Sequence, residues 1–166
     1  MWNLSNKKAQ LMERPFIFIF TLVVASLVFI FGFYVINNLI RTSSCAQIGV
    51  FYTDLNEQVN RYYNFDTGSS TDVQLRLPKK IKYFCMFSKE EFLDKTELDK
   101  INTGLYDVFT RVDENIAFVP VGYCPKSLFF IDKLKPKENP LCILNTGKVN
   151  FVLENKGNYV EARKIS

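Results

Sequence analysis

Residues 15–36 of this chain read PFIFIFTLVVASLVFIFGFYVI, and these 22 residues include no charged side chain. As a helix rising about 1.5 Å per residue they would extend roughly 33 Å, enough to cross a hydrocarbon layer of about 30 Å. A cleavable secretory signal has a shorter apolar region, of about 7 to 15 residues, and a core helix of a soluble domain rarely stays uncharged for so long. The stretch therefore predicts a transmembrane helix over residues 15–40.

The charges that flank this stretch predict its orientation. Two lysines and Arg14 precede it, opposed only by Glu13, whereas Arg41 alone follows it closely. Because basic flanks favour the cytoplasmic side, we expect residues 1–14 in the cytoplasm and the rest of a single-pass cell-membrane protein outside it. Pro15 would suit the first helical turn, where its missing N–H removes no hydrogen bond.

Apolar side chains recur beyond the span at Ile48, Tyr52, Leu55 and Val59. Steps of three and four residues line one face of a helix, and the opposite face of this segment is polar. We expect an amphipathic stalk helix over residues 41–65 that packs its apolar stripe on the domain that follows.

The pattern changes to that of strands in residues 66–166. Alternation in 71–77, a turn and an apolar run in 81–87 predict a hairpin. Ser88 with Glu91 has the pattern of a helix capping box. Further strands are expected at 115–121, 128–131, 141–144, 149–153 and 159–162, with a turn at 156–158 between the last two.

The predicted fold class is therefore α+β. A long N-terminal transmembrane helix continues into the stalk helix, and a small, mainly antiparallel β domain with one or two helices follows, in the extracytoplasmic space.

All four cysteines follow the span, where disulfides persist in an oxidising compartment. Cys85 with Cys142 is the first pairing, since both lie in short strand-like runs that could be neighbours. Cys45 with Cys124 would then tie the stalk to the domain. Buried free thiols are the alternative, and four cysteines allow three connectivities between which the sequence does not choose.

Composition argues against several classes of function. The formal net charge of +4 lies mostly in the flanks of the span, and residues 42–166 carry only +1, so nucleic-acid binding is not expected. The chain has no histidine, which excludes histidine-based triads and removes a common metal ligand. No catalytic residue, cofactor site or metal site is expected, and we expect no enzymatic activity.

The weaker candidates for chemistry are two serine and lysine neighbours and two acidic pairs. A serine beside a lysine could form a dyad only if the fold places the amine on the hydroxyl, and the acidic pairs lack the glycine-spaced oxygen ligands of a calcium loop. Turns and solvated helix ends explain all four better. They are Ser88 with Lys89, Ser127 with Lys126, Glu90 with Glu91 and Asp113 with Glu114.

The sequence before the span, Lys7, Lys8, Ala9, Gln10 and then Glu13, resembles the class III signal of archaeal type IV pilin-like proteins. The resemblance implies cleavage by a prepilin peptidase between Ala9 and Gln10, with the long helix entering a filament core beneath a β-rich head. Glu13 would be the fourth mature residue, where the family has its acidic residue at the fifth. The layout is also similar to uncharacterised single-span membrane proteins of small-genome archaea.

Two functions are consistent with these patterns. The first is a pilin-like structural subunit of a surface filament or membrane assembly, with the lipid bilayer and self-association through the N-terminal helix as its partners. The second is an unprocessed single-pass anchor that displays a binding domain to a partner protein. A membrane-bound hydrolase is a distant third, and no small-molecule substrate is identifiable.

Overall fold

The computed structural model describes residues 9–165. Three helices and eight strands lie in this part of the chain: α1 Ala9–Tyr63, β1 Ser70–Arg76, β2 Tyr83–Met86, α2 Lys95–Ile101, α3 Leu105–Arg111, β3 Ile116–Val119, β4 Leu128–Phe129, β5 Leu134–Pro136, β6 Leu141–Leu144, β7 Lys148–Asn155 and β8 Val160–Arg163. The α+β class is confirmed. The chain divides into two compact units, Met1–Thr42 and Ser43–Ser166.

The first unit contains the N-terminal part of α1. The helix includes residues on both sides of Pro15, so the expectation that Pro15 belongs to the first helical turn was wrong. Its missing N–H removes one backbone hydrogen bond from inside the helix. Residues 42–44 and Gly49 are helical in the backbone.

The second unit contains two four-stranded sheets. The first has the strand order β1-β7-β8-β5, in which β5 and β8 are parallel and the other pairs antiparallel; the second, β4-β3-β2-β6, is antiparallel throughout. The mainly antiparallel character agrees with the prediction. The predicted turn at 156–158 joins β7 to β8, and Gly157 there has φ +93°, a conformation that glycine adopts without strain.

The main core of this unit forms where α1 packs against both sheets. Ile48, Leu55 and Val59 of the predicted stripe are each at most 1% exposed and Tyr52 is half-buried, which confirms that the apolar stripe of this helix packs on the domain. Phe51, beside the stripe, is 2% exposed. The ring of Phe51 lies 4.9 Å from that of Phe84 in edge-to-face geometry, an arrangement that aromatic pairs prefer.

A second core lies on the opposite face of β2 and β3. Successive residues of β2 alternate between the two cores, Phe84 and Met86 facing α1 while Cys85 faces α2 and α3. The strand is buried on both faces, as its continuous apolar run indicates. Phe87 and Phe109 stack at 4.1 Å between ring centroids and fix α3 on the sheet.

The predicted hairpin of 71–77 with 81–87 was wrong. β1 pairs with β7, and β2 pairs with β3 and β6 in the other sheet. The chain turns at Pro78 to Lys80 as expected, but Leu77 is buried and leads the chain from one sheet to the other. The proximity of two strands in sequence therefore did not make them partners.

The predicted capping box at Ser88 was also wrong. Residues 88–94 form a loop, and the first helix after β2 begins at Lys95 with Asp94 as its N-cap. The Asp94 carboxylate accepts from the N–H of Thr96 at 2.8 Å, which satisfies one donor of the first turn. The loop before it is held by Asn139, whose side chain bonds the backbone of Ser88 in both directions.

Candidate functional site

The first candidate contact surface is the exposed apolar part of α1. From Pro15 to Ser43 every side chain is exposed except Gly32 and Val35, which are half-buried. Phe16 keeps 73% of its surface and Phe31 keeps 69%. Among the described residues one helix is long and apolar enough to cross a membrane, judged by length and composition. An apolar surface of this extent is typical of contact with lipid or with another protein.

Two hydroxyl side chains within this segment form hydrogen bonds to backbone carbonyls of the preceding turn. The Thr21 hydroxyl donates to the carbonyl of Phe18 at 2.9 Å, and the Ser26 hydroxyl donates to that of Val23 at 2.8 Å. Such bonds leave no hydroxyl proton that needs water. The positions of Thr21 and Ser26 are therefore compatible with an apolar surrounding.

The predicted processing residues lie just before this surface. Ala9 and Gln10 are the first two described residues and are helical in the backbone. Lys7 and Lys8 lie outside the described residues. The predictions of cleavage and orientation stay predictions.

Two disulfides stabilise the second unit. Cys45 of α1 bonds Cys124 in the loop after β3, with 5.6 Å between Cα atoms, and Cys85 of β2 bonds Cys142 of β6. These are the two pairings that the sequence analysis preferred. The second is explained by the sheet register, which places Cys85 directly opposite Cys142. No free cysteine occurs in residues 9–165, and the four positions serve structure.

Ser127 and Lys126 are neighbours in sequence but engage different groups. The Ser127 hydroxyl is buried, donates to the carbonyl of Cys124 at 3.0 Å and accepts from the N–H of Gly122 at 3.2 Å. The Lys126 ammonium lies 4.8 Å from the centre of the Phe129 ring. Ser127 thus closes the turn that carries the disulfide, and the structure does not place Lys126 as its base.

Most of the other candidates line one surface depression, namely Ser88, Lys89, Glu90, Asp113 and Glu114. Glu91 lies at a neighbouring depression. Lys89 Nζ lies 2.8 Å from Asp113 Oδ1, and Lys135 Nζ pairs with Glu90 Oε2. Hydrogen bonds from these lysines lower the pKa of Asp113 and that of Glu90. Both carboxylates therefore stay ionised at neutral pH, which suits a salt bridge and not a general acid. Among the described residues no group of His, Cys, Asp or Glu is placed to hold a metal ion.

Sequence reasoning did not identify one further feature, the free edge of β1. β1 is the first strand of its sheet and pairs only with β7. With seven residues it is the longest of the four edge strands, since β4, β5 and β6 have two, three and four. An open edge exposes unpaired backbone N–H and C=O groups, to which another strand can bond.

The ladder shows which groups of β1 are free. Leu77 N–H donates to the carbonyl of Gly147, and the carbonyl of Ser69 accepts from Asn155 N–H. In an antiparallel ladder the residues that bond a given neighbour alternate, so the odd-numbered residues between these points bond β7. The backbone groups of Ser70, Asp72, Gln74 and Arg76 point to the open side, where the Asp72 carbonyl also accepts a long hydrogen bond of 3.5 Å from the Thr71 hydroxyl.

Comparison with protein-family models, with curated proteins and with solved structures finds no match to this chain.

Proposed function

We propose that this chain is a single-pass membrane protein whose second unit lies outside the cytoplasm and acts through contacts with other proteins, as a structural or interaction subunit. The observation that carries the proposal is the exposed, uncharged surface of α1 from Pro15 to Ile40. A helix without charge over this length gains free energy by leaving water for lipid. The same helix contributes Ile48, Leu55 and Val59 to the core of a disulfide-bonded unit.

The disulfides support the placement of the second unit. Disulfides persist in oxidising compartments and are rare in most cytosols. Cys85 is fully buried beneath α2 and α3, and Cys45 and Cys124 join segments 79 residues apart. An extracytoplasmic location agrees with the basic residues before the span, which favour a cytoplasmic N-terminus.

A pilin-like subunit is the more specific form of this proposal. Its support is that α1 enters the core of a β-rich unit with Ile48, Phe51 and Leu55 after an exposed apolar portion. That layout is the one implied by the resemblance of residues 7–13. In this form the exposed portion of α1 would pack against copies of itself after cleavage.

The unprocessed anchor is the second candidate, favoured by the free edge of β1. A display module needs a surface on its folded unit for a partner, and this edge provides one. We assign no catalytic role to Ser88 or Ser127. The Ser88 hydroxyl accepts from the N–H of Glu90, and that of Ser127 is used within its own turn.

Membrane anchoring is tested by extracting membranes of cells that express the full chain with alkaline carbonate. The chain should stay in the pellet, and replacing Val24, Leu27 and Ile30 together by lysine should release it, because each lysine near the centre of a span costs about 2.5–3.5 kcal/mol. Replacing the same three residues by alanine is the matched control and should leave the chain bound. Release of the unchanged protein would overturn the proposal.

Intact mass then separates the two forms. A pilin-like subunit begins at Gln10. Ala9→Leu should prevent this cleavage, whereas Ala25→Leu, the control, should still be cleaved. An unprocessed anchor keeps residues 1–9. In both forms the four cysteines should take up an alkylating reagent only after reduction, and alkylation before reduction would contradict the extracytoplasmic placement.

A further inference from the structure

We infer that the partner of the free β1 edge is a second copy of this chain, bound by antiparallel pairing of β1 with β1 about a two-fold axis at Gln74. The inference rests on the proposed function, since it names the protein contact that the second unit makes. It is carried by the pattern of charge along the edge and by the direction of its backbone groups.

The free backbone groups allow this pairing. Because Asp72, Gln74 and Arg76 direct their N–H and C=O groups outward, two such strands can bond in antiparallel fashion through these residues. With Gln74 on the axis, it faces its own copy, and Asp72 faces Arg76 of the second chain. Three residue pairs with two hydrogen bonds each give about six backbone hydrogen bonds.

The charges favour this register over the others. Antiparallel registers that use these outward groups differ by shifts of two residues, and each shift moves the two-fold axis by one residue. An axis at Asp72 would set two aspartates opposite each other, and an axis at Arg76 would set two arginines opposite. An axis at Val73 or Leu75 would set Gln74 opposite Asp72 or Arg76 and form no pair of opposite charges. Only the register centred on Gln74 places Asp72 opposite Arg76, and its symmetry forms that pair twice.

Neither charge has a counter-ion among the described side chains of its own chain. Among residues 15–165, whose side chains the structure describes, neither Asp72 nor Arg76 takes part in an ion pair. Arg76 moreover lies directly opposite Lys148 of β7, and like charges in this position are unfavourable. The second chain's Asp72 would place a carboxylate beside Arg76 and offset that repulsion.

The apolar side of the strand is also incompletely covered. Leu75 is half-buried and lines an open groove between β1 and α1, in which Val50 keeps 60% of its surface. In the symmetric pair Leu75 of one chain faces Val73 of the other. The pairing therefore covers apolar surface as well as backbone groups.

Cysteine cross-linking of the full chain in its membrane tests the register. In Gln74→Cys the two thiols would lie on residues with Cα atoms about 5.5 Å apart, within reach of a disulfide, and oxidation should give a covalent dimer. Asp72→Cys and Arg76→Cys alone should not cross-link, because each residue is about 13 Å along the strand from its own copy. Co-expression of these two variants should give the dimer.

Charge reversal provides the second arm. Asp72→Arg or Arg76→Asp alone should weaken dimerisation in nanodiscs about tenfold, since two attractive cross-strand pairs become repulsive, and the double variant should restore it. Mass spectrometry of the native complex gives the dimer fraction, and uptake of alkylating reagent shows that the original disulfides are intact.

The inference is overturned if the Gln74→Cys variant stays monomeric or bonds only other proteins, or if the charge reversals leave the dimer fraction unchanged. Either result in a chain that still pellets with carbonate-washed membranes leaves the membrane anchoring intact. If carbonate released the unchanged chain but the Gln74→Cys variant still cross-linked, the membrane anchoring would be overturned and the β1 pairing would stand. The two failures are therefore distinguishable.

Discussion

The side-chain amide of Asn155 donates a 2.8 Å hydrogen bond to the carbonyl oxygen of Phe65. The same amide reaches the carbonyls of Tyr62 and Tyr63 at 3.0 and 3.2 Å, where α1 ends. The last carbonyls of a helix have no partner within it, and here a residue from the end of β7 supplies one. Asn155 thereby fixes the end of α1 to the sheet.

We predict that Asn155→Ala destabilises the second unit by about 2–4 kcal/mol, because it removes the donor to the carbonyls of Tyr63 and Phe65 and the acceptor of the Gly157 N–H. Asn155 is 1% exposed, so water does not take over the hydrogen bonds of its side-chain amide. The measurement is thermal unfolding of the full chain in detergent, followed by circular dichroism. Asn158→Ala, in the same turn but exposed, is the control and should change stability by less than about 0.5 kcal/mol. Equal effects of the two variants would contradict this role.

The sequence predicted correctly those features of the fold that depend on a local pattern of residues. The uncharged run of residues 15–36 and the apolar stripe through Ile48 and Leu55 depend only on which residues neighbour one another along a helix. The strand partners of β1 and β2 depend on the whole topology. β1 pairs with β7, so that Val73 lies opposite Phe151, and no nearby residue signals this.

The disulfides give the second prediction. Removing the Cys45 to Cys124 bond by Cys45→Ala with Cys124→Ala should cost about 4 kcal/mol of unfolding free energy, from the entropy of a loop that spans 79 residues. The corresponding change at Cys85 and Cys142 should cost more, although its loop is 57 residues, because Cys85 is also fully buried in the second core. Chemical unfolding of the two double variants in one detergent compares them. A smaller loss for the Cys85 and Cys142 variant would show that its packing contributes little.

The two candidate surfaces, the apolar span and the β1 edge, are not equally visible in the sequence. The apolar span is visible in composition alone. The open edge of β1 becomes visible only when the sheet order is known, because residues 70–76 have the ordinary alternation of any half-buried strand. The ion pairs of Lys89 with Asp113 and of Lys135 with Glu90 likewise join segments 24 and 45 residues apart.

The third prediction contrasts two neighbours on α1. Phe51→Ala should destabilise the second unit by about 3–5 kcal/mol, the usual loss for a buried phenylalanine, since its ring contacts those of Phe84 and Phe118. Val50→Ala is the matched control, because Val50 is 60% exposed, and it should change monomer stability by less than about 0.5 kcal/mol. Unfolding of both variants is measured at a concentration at which the chain is monomeric. A large loss for Val50→Ala would show that this side chain is covered in the monomer.

The fourth prediction concerns acid. The hydrogen bond from Lys156 lowers the pKa of Glu154 from its ordinary value of 4.5, so the folded state holds this carboxylate ionised more strongly than the unfolded state does. The stability that results is fully present above about pH 4.5 and is lost as the pH falls through the lowered folded pKa. Glu154→Gln should therefore lower the unfolding temperature slightly at pH 7 and make its fall between pH 5 and pH 3 shallower, the pH range being about that of carboxyl titration. Glu57→Gln, at an exposed position with no ion pair among the described side chains, serves as control, and an equal change in slope there would contradict a specific role for the pair of Glu154 with Lys156.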